Sequence, residues 1–504
     1  MKRQFVKNLS SNWAVYLTAA ALSFFLTPYI INQVGQAAYG VWILVGSFSG
    51  YLGLFDFGIG FAVVRFVARY QKTGEPQRRN EVVATAFYIA AGLALLVLAA
   101  TIYIMIEAPV LFDLPDNLIG QSRMVILLIG LSIAVGFPLS IFSEALAGGL
   151  YRFDLFNTVS LLMALLRSAL TIILLEMGYG LIGLGVAALI GSLLGYLWRM
   201  RMLFRLLPDL SIHPRLISRS VLSQIGDYSF FSFLLVLSGR IAFYSDSFIV
   251  GFYRGVEEVA VFGIAVKLTE YLRQMSFTVS RLFSPVAARF DPEADQPTLR
   301  RLLYDGSRIN LLFSMPVSLL LFFWGGRFID LWVGEDFAAS AVILQILLIG
   351  HLLSFMQGIG GELLLGVGRH RLFSILSIAG AIINIVLSII LVKTMGLIGV
   401  AWGTTIPLAV LSIGYLPFAA VRLVGGGIWS FVVRAIFPAV AASIIPGVGI
   451  IVVAQRIDSL GTMLLAGGFI SLLYLPSAYF LGLSSSERVI IKSGINRLLG
   501  ANKT

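Results

Sequence analysis

The chain has 504 residues, 58% of them hydrophobic and 12% charged, with a formal net charge of +11 and no cysteine. Globular proteins carry roughly twice that share of charge, so a water-soluble fold is excluded and an all-α integral membrane protein is expected. Without cysteine, disulfides, thiolate metal sites and cysteine catalysis are excluded as well.

A bilayer crossing needs about 20 apolar residues, and on that measure fourteen transmembrane helices are predicted. In chain order they are 12–33, 41–64, 82–106, 123–148, 155–176, 180–203, 229–252, 258–281, 309–326, 341–366, 372–393, 397–420, 433–454 and 461–482. The opening MKRQFVK before an apolar run has the outline of a signal peptide, but the run from Asn12 to Gln33 is long for one and reads as the first span. Connections are short, and neither a soluble domain nor a low-complexity tract interrupts the series.

The pattern returns on itself. GLIG at 180–183 recurs at 396–399, and Arg152 with Leu155 and Phe156 recurs as Arg369 with Leu372 and Phe373. Glu144 is matched by Glu362, and GQAAYGVW from residue 35 lines up with GVEEVAVF from residue 255. The nearly constant offset predicts two six-helix lobes in a pseudo-twofold parallel repeat, with two C-terminal helices appended. The expected division is an N-terminal lobe 1–206, a cytoplasmic linker 207–228, a C-terminal lobe 229–422, spans thirteen and fourteen within 433–482, and a cytoplasmic tail 483–504. Parallel repeats of this kind belong to transporters that bind cargo at the repeat interface.

Lysine and arginine set the orientation. With the N-terminus inside, inner segments carry 27 of the 36 basic residues, and the outer loops only Arg123, Arg254, Arg327, Lys393 and Arg456. Both termini are therefore expected in the cytoplasm. Clusters such as RMRMLFR (199–205) suit an anionic inner leaflet, so the basic balance implies membrane lipids and no nucleic acid.

Four basic residues remain within spans and away from their ends: Arg167, Arg240, Lys267 and Arg273. Charges at mid-bilayer are expensive, and their default reading is functional. Lys267, Glu270 and Arg273 step by three and share one broad helix face with Gln274, Phe277 and Arg281. Asp246 lies in the same span as Arg240, and Asp56 inward of the centre of span two. These groups are expected to line one water-filled cavity between the halves. The alternative is structural pairing, Lys267 with Glu270 and Arg240 with Asp246, and Glu144 and Glu362 read equally as helix-end partners of Arg152 and Arg369 or as ion ligands. Asn12, Asn157, Asn310 and Asn384 read as bridges between helices, Gly46/Gly50 and Gly191/Gly195 as close helix contacts, and the intramembrane prolines as bends. Asp56-Phe57-Gly58 has no kinase context, the three histidines His213, His351 and His370 have no metal spacing, and no hydrolase triad assembles. A basic interior suits an anion, because arginine binds phosphate oxygens in a planar fork and lysine adds a point charge.

The stretch SNWAVYLTAAALSFFLTPYIINQVGQAAYGVWILVGSFSGYLGLFDFGIGFAVVRFVARY (11–70) resembles the opening of Wzx-like polysaccharide and O-antigen flippases. These form the polysaccharide transporter branch of the MOP superfamily, which also holds MATE exporters and the lipid II flippase. The pattern YG-x-W, GYLGLFD-x-G and Arg across Tyr39–Arg65 is its most specific part. The resemblance implies a V-shaped pair of lobes that rock between inward- and outward-open states in a bacterial inner membrane. The implied cargo is an undecaprenyl-diphosphate-linked oligosaccharide, and a polysaccharide polymerase and a chain-length regulator are the implied partners. Arg240, Lys267, Arg273 and Arg167 would then hold the diphosphate or acidic sugars. Asp246, Glu270 and Asp56 would position them or carry a coupling proton or sodium, with no cofactor and no catalytic residue. The rival readings are a MATE-type drug or ion antiporter and, further off, a lipid-linked glycan polymerase.

Overall fold

The computed structural model describes residues 2–369, 371–485, 487–489 and 492, with backbone only for 2–10, 225–236, 238, 242, 285 and 455. His370 and most of the predicted tail, 493–504, lie outside the described residues. Every regular element among the described residues is helical. Two compact units divide the chain, Met1–Gly263 and Ile264–Thr504.

The first unit contains α1 (Lys2–Val34), α2 (Gln36–Leu52), α3 (Ile59–Thr73), α4 (Pro76–Leu111), α5 (Asp116–Glu144), α6 (Phe153–Glu176), α7 (Gly180–Leu206) and α8 (Arg219–Arg254). Helix α9 (Val256–Ser280) begins there and ends in the second unit. The second unit continues with α10 (Ser284–Ala287), α11 (Gln296–Val333), α12 (Ser340–Gly366), α13 (Arg371–Met395), α14 (Leu397–Val410), α15 (Leu416–Leu423), α16 (Ile428–Phe431), α17 (Phe437–Val453) and α18 (Leu460–Ser477). Single π-helical turns interrupt the spans at Ala145–Gly149, Leu411–Tyr415, Val432–Ile436 and Ala478–Gly482.

Twelve helical segments among the described residues are long and apolar enough to cross a membrane. Predicted spans seven and eight fall on α8 and α9, which are helical but not among the twelve. Every 18-residue stretch of α9 carries at least three charges, and residues 229–236 of span seven lie outside the described side chains. Helix α9 thus falls outside the twelve by its charge.

Predicted span two, 41–64, is corrected: it is two helices. After α2 the chain makes a 3-10 turn at Gly53–Asp56, then places Phe57 at φ 46° and Gly58 at φ 79°, and restarts as α3. A glycine tolerates the left-handed region without a Cβ penalty, which is what Gly58 supplies here. Helix α3 then follows a new face, burying Ile59, Ala62, Val63, Phe66, Val67 and Tyr70 while Arg65, Arg69 and Lys72 point away.

One joint is used twice. Gly35 (φ 84°, ψ 165°) links α1 to α2, and Gly255 (φ 86°, ψ 173°) links α8 to α9. That backbone region is essentially glycine-only, so the sequence repeat at this offset is also a repeat of local geometry. Gly180 and Gly396, which open the two GLIG copies, likewise share positive φ.

Polar ties hold the packing within each unit. The segment after α7 is pinned to α4: buried Arg79 donates to Asp209 at 2.8 Å, Asn80 Nδ2 donates to the Asp209 carbonyl at 2.7 Å, and the Tyr88 hydroxyl donates to the Ile212 carbonyl at 3.0 Å. The Arg79 guanidinium holds the Asp209 carboxyl below its ordinary value of 3.8. The expected asparagine bridges are present. Asn157 reaches Asn12 and Ser11 from α6 to α1, Asn384 donates to Thr404 between α13 and α14, and Asn310 donates to Ser276 Oγ and to the Phe355 carbonyl. The C-terminal pair docks on α11 through Trp324 Nε1 to the Ile450 carbonyl and the Tyr474 hydroxyl to the Leu312 carbonyl.

Candidate functional site

In the first unit several of the candidate side chains gather around the break between α2 and α3. Ending a helix leaves carbonyls without partners, which must be answered by other groups when no water is at hand. Arg240 of α8 answers one: its Nη1 donates to the Gly50 carbonyl at 3.5 Å and to the Tyr244 hydroxyl at 3.3 Å, with the guanidinium 5.6 Å from the Tyr244 ring centroid. A cation at a helix C-terminus also meets the negative end of the helix dipole. Gly50 makes the approach of α8 feasible, since a Cβ there would sit 2.2 Å from the Tyr244 ring. Arg240 makes no carboxylate pair among the described residues, so its expected alternative pairing with Asp246 is not found. Asp246 is buried on α8, and its field reaches Tyr51.

Asp56 sits in the 3-10 turn, where its carboxylate faces the backbone N–H groups of Gly58 and Gly60. Glu144 and Asp56 both approach Gly60: a Cβ built there would lie 3.3 Å from Glu144 Cγ and 3.8 Å from Asp56 Oδ2. Glu144 feels the Asp56 carboxylate and the Arg199 guanidinium together. Arg199 in turn donates to Ser160 Oγ at 2.7 Å and lies 4.3 Å over the Phe156 ring.

The expectation for Glu144 therefore changes. Arg152 pairs with Asp154 at 3.0 Å and Arg369 with Glu293 at 3.0 Å, so neither Glu144 nor Glu362 is the partner. Asp154 in the first turn of α6 takes one arginine and Glu293 in the turn before α11 takes the other. In sequence Arg199 counts toward the inner positive charge, and α7, which runs to Leu206, keeps it helical. Its spacing from Gly195 and Gly191 was the available signal. Those two glycines do form a close contact, against Met163 and Arg167 of α6.

Arg167 stands in a different packing group from Arg240. Helix α6 lies against α1 and α7, whereas α8 lies against α2, α3 and α4. The Arg167 side chain is exposed on α6 and has no hydrogen-bond partner among the described residues.

In the second unit, Glu270 is held by Arg273 and not by Lys267. The two side chains make a bidentate pair at 2.6 and 2.7 Å, and Gln274 donates to the same carboxylate at 2.8 Å. The pair is only partly buried, with side-chain exposures of 39% for Arg273 and 19% for Glu270. Lys267 is half-buried one turn earlier. About two turns beyond Arg273, Arg281 stacks on Phe277 at 4.1 Å and feels Glu362 of α12. The Ser276–Asn310 tie fixes this face of α9 to α11. No group of three or more His, Cys, Asp or Glu converges as a metal site among the described residues.

A family model described as polysaccharide biosynthesis protein matches residues 5–291, more than half of the chain. The chain belongs to that family. A second model, MatE, matches residues 229–390. This polysaccharide biosynthesis protein is a multi-pass membrane transporter of the MOP superfamily. It is 23% identical to the membrane protein EpsK of Bacillus subtilis (strain 168), a match covering 99% of each chain. It is 19% identical to a Shigella flexneri protein provisionally named an O-antigen transporter, over 82% of this chain and 97% of that one. Its fold is shared with the lipid II flippase MurJ in an inward closed conformation, at a TM-score of 0.70 and 16% identity, covering 94% of this chain and 98% of that one.

Proposed function

We propose that this family member flips an undecaprenyl-diphosphate-linked oligosaccharide from the inner to the outer leaflet of a bacterial cytoplasmic membrane, by alternating access and without covalent chemistry. The observation that carries the reading is Arg240, a guanidinium inside a membrane span that faces a carbonyl and a phenol rather than a carboxylate. Such a cation keeps most of its charge for a visiting anion, and a diphosphate repays the desolvation of a fixed guanidinium. Lys267 and Arg273 would supply further cations, with Arg167 as an outlying contact. Glu270 would aim Arg273. Asp56 with Glu144, and Asp246 beside them in sequence role, would carry the coupling proton or sodium. Family membership supports a polysaccharide precursor as cargo, and a polymerase and chain-length regulator would act on what is released outside.

The test is glycan export in cells carrying Arg240→Ala and Lys267→Ala together. Loss of export with lipid-linked oligosaccharide trapped on the inner leaflet supports the assignment, and unchanged export defeats it. The MatE match favours a second reading, a drug or ion antiporter. Dye efflux that depends on this chain, with glycan export intact, would select it.

A further inference from the structure

The second unit carries an arginine-lined cavity of ≈650 Å³ well apart in sequence from the charges of α9. Its walls come from the start of α11, from the start of the 428–453 segment, and from the end of the 460–482 segment. Successive crossings put these three ends at the same membrane face, the one that lysine and arginine mark as inner. Arg300, Arg301, Arg308 and Arg434 line it, against one lining carboxylate, Asp305.

The four arginines are not equally committed. Arg308 is buried and spent: it donates to Asp305 at 2.7 Å and to the Arg434 carbonyl at 2.8 Å, and meets Glu487 at 2.6 Å. Glu487 is itself fixed by the Ser484 N–H at 2.7 Å. Arg301 shares Asp305 at 3.3 Å, and Arg300 donates through Nε to the Val424 carbonyl. The Arg434 side chain has no hydrogen-bond or ion-pair partner among the described residues. Four guanidinium groups thus meet two carboxylates, leaving two positive charges in a recess that already has its buried anchor built.

Exposed apolar residues flank the recess in sequence. Leu481 lines it and is 49% exposed, while Phe437 and Phe480, beside lining residues in sequence, are 63% and 64% exposed. Charge in a recess beside an exposed apolar belt matches an amphiphile with an anionic head. We propose that this cavity binds the phosphate of an inner-leaflet lipid headgroup, with the acyl chain lying along Phe437, Phe480 and Leu481. Arg434 and Arg300 would grip the phosphate oxygens while Arg308, held by Asp305 and Glu487, shapes the floor. This inference does not rest on the identity of the transported cargo.

The experiment uses the purified full chain in neutral detergent and reads the thermal midpoint with phosphatidylglycerol, phosphatidylcholine or inorganic pyrophosphate added. Phosphatidylglycerol is expected to raise the midpoint by several degrees, and the other two to leave it within a degree. In Arg300→Gln/Arg434→Gln the phosphatidylglycerol shift is expected to fall by more than half. Equal shifts with phosphatidylcholine, or a full shift in the variant, would overturn the site, and an equal shift with pyrophosphate would make it a free-anion site instead. Should the double variant not fold, Arg434→Gln alone is compared with the parent by native mass spectrometry. One fewer retained phosphatidylglycerol is expected, and equal retention overturns the proposal.

Discussion

Asn310→Leu isolates the tie that fixes the charged helix α9 to its neighbours. Asn310 is fully buried, and its Nδ2 reaches Ser276 Oγ of α9 at 3.0 Å and the Phe355 carbonyl of α12 at 2.9 Å. Leucine keeps the bulk and removes both partners. Interhelical polar contacts in membranes average about 0.6 kcal/mol and reach about 1–2 kcal/mol, so two partners amount to about 1–3 kcal/mol. For a unit of this size that lowers the thermal midpoint by about 3–10 °C. Because the chain has no cysteine, Leu363→Cys at a fully buried position gives a single thiol whose labelling reports the opening of the second unit. The double variant Ser276→Ala/Asn310→Leu is expected to cost little more than Asn310→Leu alone, since the two share one contact. A midpoint at or above that of the parent, or fully additive losses, would refute the reasoning.

Gly50→Ala forces a methyl to within 2.2 Å of the Tyr244 ring, against open space at Gly46. Overpacking of this kind costs about 1–3 kcal/mol, so Gly50→Ala should melt earlier, Tyr244→Ala should partly rescue it, and Gly46→Ala should be neutral or stabilising. Exchanging Glu270 and Arg273 for each other keeps an i,i+3 pair, so the midpoint should hold while glycan export falls, because the cation moves one turn along α9. Asp209 has its folded value depressed below 3.8 by Arg79. Its contribution is present above 3.8 and is lost as pH falls through the lower folded value. Proteolysis of the segment after α7 should therefore accelerate only below about pH 4 in the parent, and at neutral pH in Asp209→Asn.

Twelve of the fourteen predicted spans were legible because length and apolarity are additive along the chain and need no knowledge of partners. The break after Leu52 was not, since Gly53-Leu54-Phe55 and Phe57-Gly58-Ile59 read as apolar in any window while the decisive quantity is the positive φ at Phe57 and Gly58. The asparagine bridges followed from the cost of an unpaired amide in lipid, whichever helix answered it. Pairing among charges was harder. Lys267, Glu270 and Arg273 share a face, so spacing alone leaves Glu270 with two suitors, and side-chain geometry chose the arginine. Arg199 was hidden for a different reason: near a helix end, a residue that supports the inside charge and one that serves Glu144 look alike in sequence.

Gly35 and Gly255 each make a whole helix-to-helix connection out of one residue. A longer loop would let the helix on one side slip or rotate while its neighbour stayed put. Here no slack exists, and any torsion arriving along α1 or α8 is either taken up by two dihedral angles of a single glycine or handed on to α2 or α9. Motion that reaches these points therefore has one pivot, located to a residue.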